Sequence, residues 1–80
     1  MKEKRNTMAL PDLYQACTEE EREMIWRQMF ERIGKTRQFV WMSLTGKTQP
    51  ESLLERKEIA AIIKEVTGIE ADPATLFPAR

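Results

Sequence analysis

Eighty residues with 13 basic and 13 acidic side chains make a neutral chain, enough for one domain around one modest core. Zero net charge counts against binding to nucleic acid through bulk charge alone, though not through a local patch. No apolar run approaches the roughly 20 residues that cross a bilayer, and MKEKRNT leads into no apolar signal core, so a cytoplasmic protein without membrane partners is expected.

Residues 1–7 are polar and lack periodicity, and residues 1–9 are expected to form a disordered arm ahead of a single helical domain over 10–80. Lys2, Lys4 and Arg5 are of a type that touches phosphates, but a solvated tail is the simpler reading. Leu10, Leu13, Tyr14 and Cys17 recur at helical spacing, with Pro11 suited to a first helical position. Thr18 and Glu21 have the spacing of a capping box, opening a helix that runs to Ile33. Its apolar face holds Met24 or Ile25, Met29 and Ile33, with Trp26 and Phe30 beside them. Glu19, Glu20 and Glu21 are explained by the positive end of the helix dipole without a metal. Gly34 stops this helix.

Thr36 is placed to cap the next helix, which runs to Leu44. At about 100° per residue, Phe39, Val40, Ser43 and Leu44 share one side, while Gln38, Trp41, Met42 and Thr45 point away, with Arg37 next to Trp41. A helix apolar on both sides is either sandwiched or keeps an outer face for a partner. Gly46 makes a turn, and Pro50 is read as the start of a second long helix ending at Thr67, with a capping pair at Ser52 and Glu55. Its expected core stripe is Leu53, Leu54, Ile59, Ile62, Ile63 and Val66; Arg56, Lys57, Glu58, Lys64 and Glu65 are expected in solvent. Gly68 ends it, Asp72-Pro73 opens a last short turn, and Leu76 and Phe77 dock on the core. No segment alternates like a strand, so the expectation is an all-α bundle of four to five helices.

Little in the chain points to catalysis. There is no histidine, and Cys17, the one cysteine, can form neither an internal disulfide nor a zinc cluster; it reads as a buried thiol. Gly46-Lys47-Thr48 echoes the end of a P-loop but lacks the earlier glycine and the preceding strand. A non-enzyme is expected, with no catalytic or metal-binding residue, no cofactor and no small-molecule substrate. The charge, however, is segregated. Arg32, Lys35, Arg37 and Lys47 lie in a stretch with no acid. Acids outnumber bases both from Glu19 to Glu31 and from Glu51 to Asp72.

Ile33-Gly34, the segment Thr36 to Leu44 with Trp41, Gly46-Lys47 followed by Pro50, Ile59-Ala60 and Leu76-Phe77-Pro78 occur in an order that resembles the lambda-repressor-like, Cro/repressor-type helix-turn-helix domains. The resemblance spans Phe30 to Phe77 and puts a helix-turn-helix at about 22–45. It implies a small transcription regulator that binds duplex DNA, with two copies acting together. It also implies that Thr36, Arg37, Gln38, Trp41 and Met42 face the major groove while Lys35 and Lys47 reach phosphates. The alternative is a non-enzymatic protein–protein interaction module, with Trp41 and Met42 as its hot spot and Lys35, Arg37 and Lys47 as its rim.

Overall fold

The computed structural model describes residues 7–34 and 36–78. Among these residues the chain is all-α, with α1 at Leu10–Ala16, α2 at Glu19–Ile33, α3 at Arg37–Thr45, α4 at Leu53–Thr67 and α5 at Pro73–Leu76. α2 packs on α4 and α3, α1 packs on α3, and α5 closes against α4. The helices share one core built from Leu10, Leu13, Ile25, Met29, Val40, Leu44, Ile59, Ile62, Ile63, Leu76 and Phe77.

Local chemistry sets the helix ends. The Thr18 hydroxyl accepts from the Glu21 amide at 3.1 Å, and the Glu21 carboxylate accepts from the Thr18 amide at 2.9 Å, which completes the expected capping box. Thr36 and Ser52 cap α3 and α4 by the same kind of bond, from Phe39 and Glu55 amides. The Asp72 carboxylate accepts from Ala74 at 2.8 Å, and Pro73 follows where its missing N–H costs nothing. Gly46 ends α3 at φ 82°, where a side chain is strained; a Cβ there would also lie 2.7 Å from Pro11 Cγ. That close approach seats the start of α1 on the end of α3.

Several expectations are corrected. α1 begins at Leu10, so Pro11 is its second residue rather than its first. Pro50 does not start α4; it is buried ahead of it, and its carbonyl accepts from Arg56 Nε at 2.6 Å. Arg56 is therefore half-buried rather than solvated, and its guanidinium lies 5.7 Å from the centre of the Phe77 ring. Glu58 is half-buried too and pairs with Arg32. Leu53 and Leu54 are 59% and 78% exposed, so they lie outside the core stripe. The stripe at Ile59, Ile62, Ile63 and Val66, extended back at about 100° per residue, passes through Glu55 and Arg56 instead. Of the expected arm, residues 1–6 lie outside the described residues, and Met8 already packs against the core.

Candidate functional site

α3 is nine residues long and divides cleanly. Val40, Ser43 and Leu44 are buried and Phe39 half-buried, which points this side at α1 and α2. Arg37, Gln38, Trp41 and Thr45 are exposed on the other side, and Met42 is half-buried between the two. The helix is thus anchored by one face and open on the other, over a stretch where Arg37 and Gln38 occupy the first turn.

The individual residues differ in what they have left to offer. The Thr36 hydroxyl is committed to capping, accepting from Phe39 at 3.2 Å. Lys35 lies outside the described residues. Trp41 is 50% exposed, and its carbonyl accepts from the Thr45 hydroxyl at 2.8 Å. The Met42 carbonyl accepts from the Lys47 and Thr48 amides at 3.0 and 3.3 Å, turning the chain back beyond Gly46. This return brings Lys47 Nζ to 4.7 Å from the Trp41 ring centre, a cation–π contact on the exposed side.

At the other end of α3, the Arg37 guanidinium sits 5.8 Å from the centre of the Phe30 ring. Phe30 in turn stacks on Trp26, with centroids 5.6 Å apart and planes 12° from parallel. The α3 surface therefore continues onto α2 through Phe30 and through Trp26, which also packs against the core as expected of the apolar face of α2. Their four-residue spacing was the available signal, since side chains one turn apart meet. That they would extend the α3 surface depends on how α2 and α3 cross, which spacing does not encode.

One residue leaves the expected basic patch. Arg32 forms ion pairs with Glu58 and Glu65 of α4. The bond to Glu65 and then the one to Glu58 hold its guanidinium charged beyond the ordinary arginine range. Arg37 and Lys47, by contrast, have no carboxylate within ion-pair distance among the described residues. The patch is thus narrower than the sequence suggested and centred on α3.

Among the described residues no three His, Cys, Asp or Glu side chains converge in a way that would hold a metal ion, and no helix is long and apolar enough to cross a membrane. Comparison with family models, with curated proteins and with solved structures finds no match to this chain.

Proposed function

We propose that the chain is a small DNA-binding protein of the transcription-regulator kind, reading duplex DNA with α3 as the second helix of a helix-turn-helix formed with α2. The observation that carries this reading is the outer face of α3: Arg37 and Gln38 in its first turn, Trp41 one turn on and Lys47 just beyond its end, with no acid on that face. A recognition helix reads base edges from its N-terminal residues, while cations near the turns fix register on phosphates. Arginine suits guanine and glutamine suits adenine by paired hydrogen bonds in the major groove. Thr36, already capping α3, serves the geometry of the helix more than base contact.

A second reading has its own support. Trp41 is half exposed, and Leu53 and Leu54 are more so, which suits a protein-interaction module. Fluorescence anisotropy of a labelled mixed-sequence duplex separates the two. DNA binding requires affinity that falls steeply with salt, and Arg37→Ala weakening it with a shallower salt slope. No binding at low salt, together with Trp41→Ala changing the oligomeric state while Arg37→Ala does not, would instead establish the interaction module.

A further inference from the structure

Trp26 and Phe30 stack at 5.6 Å on α2, and Arg37 lies over Phe30. Trp41 follows one turn beyond Arg37 on α3, and Lys47 lies over Trp41 at 4.7 Å. The row runs Trp26, Phe30, Arg37, Trp41 and Lys47, mixing rings and cations across two helices and the turn after them. Phe30 and Trp41 are 36% and 50% exposed, so neither ring is used up by the core. A protein hot spot gathers its apolar groups at the centre and its charges at the rim. Here Arg37 stands between Phe30 and Trp41, and Lys47 lies over Trp41 itself.

The partner chemistry follows from what each group can hold. Arg37 and Lys47 suit phosphates, which any nucleic acid supplies. Rings suit the faces of bases, which a duplex keeps stacked on one another and a single strand leaves free. We infer that this row is a stacking platform for single-stranded DNA, with a base lying on Trp41 and the backbone held by Lys47 and by Arg37, which Phe30 seats. Lys47 covers one face of the indole and leaves half of the residue's surface open for a base. The inference rests on α3 being a DNA-binding surface, and it changes which form of DNA that surface prefers.

The test uses a mixed-sequence strand of about 12 nucleotides, within the size such sites take, and the same strand annealed to its complement. In a Trp26→Phe background Trp41 is the one indole left. The single strand is expected to quench its emission and to bind several-fold more tightly than the duplex. Trp41→Leu and Phe30→Leu keep an apolar side chain but remove the ring. By anisotropy of the labelled strand, each is expected to weaken binding by about fivefold or more, circular dichroism confirming that the helices persist. Tighter binding to the duplex, without quenching, overturns the inference and leaves the duplex reading of α3 standing. Strand binding that ignores both substitutions also overturns it, since charge alone then suffices. Binding to neither form removes both readings.

Discussion

Ser43 lies on the inward side of α3 with 2% of its surface exposed, and its hydroxyl has no hydrogen-bond partner. It lines a cavity of about 230 Å³ together with Leu10, Pro11, Gly46, Leu76 and Phe77. A buried hydroxyl without a partner costs roughly 1–3 kcal/mol, and alanine is also the better helix former. Ser43→Ala is therefore expected to raise stability by about 1 kcal/mol in urea unfolding. A loss of similar size would mean that a bound water satisfies the hydroxyl in solution and is given up on substitution. The position of Ser43 was legible in the sequence, because it shares the phase of Val40 and Leu44. Its lack of a partner was not, since that depends on what α1 and α5 bring against it. Thr36 is the opposite case: its capping partner is three residues away, so the role could be read from spacing alone.

At the scale of the helices, local signals were readable and distant ones were not. The caps at Thr18, Thr36, Ser52 and Asp72 each involve neighbours within three residues, and all four were evident in the sequence. Leu53 and Leu54 are apolar but out of phase with the stripe: they sit about 120–140° from Ile59 around α4, and both are exposed. Arg32 lies in a stretch with no acid and is paired all the same, because its partners, Glu58 and Glu65, lie on another helix, two turns apart on one face of α4. The same kind of cross-helix effect acts on Tyr14 of α1. Burial pushes its phenol above the ordinary value of 10.0; Arg22 of α2 pulls it down by less, and Cys17 adds to the rise. The folded chain thus keeps the proton after the unfolded chain has released it. Stability is intact below about pH 10 and falls as pH climbs through the folded value. Tyr14→Phe removes this contribution, so thermal melts between about pH 8 and about pH 11 should fall less steeply for the variant than for the parent. Parallel curves would mean that the phenol titrates alike in both states.

For the whole molecule, the proposed duplex reading has to work within zero net charge. With Arg32 paired to α4, the α3 side of one chain offers Arg37 and Lys47 among the described residues, and Lys35 by sequence, so about three phosphates through that side. Counterion release then gives a slope of log K against log salt of roughly −2 to −3 for one chain on a duplex. The molecule measures 36 × 29 × 19 Å, so its longest dimension matches about one turn of duplex, and one α3 cannot cover enough surface for tight specific binding. Two copies side by side would place their α3 helices on successive turns, about 34 Å apart on one side of the DNA. They would also double the number of phosphates held, giving a slope near roughly −5. Duplex binding as a pair therefore predicts that steeper slope, together with a complex of two chains per duplex by sedimentation. A slope of about −2 with one chain per duplex would mean that each α3 acts alone, in which case weak, sequence-tolerant contact is all that a neutral molecule of this size can sustain.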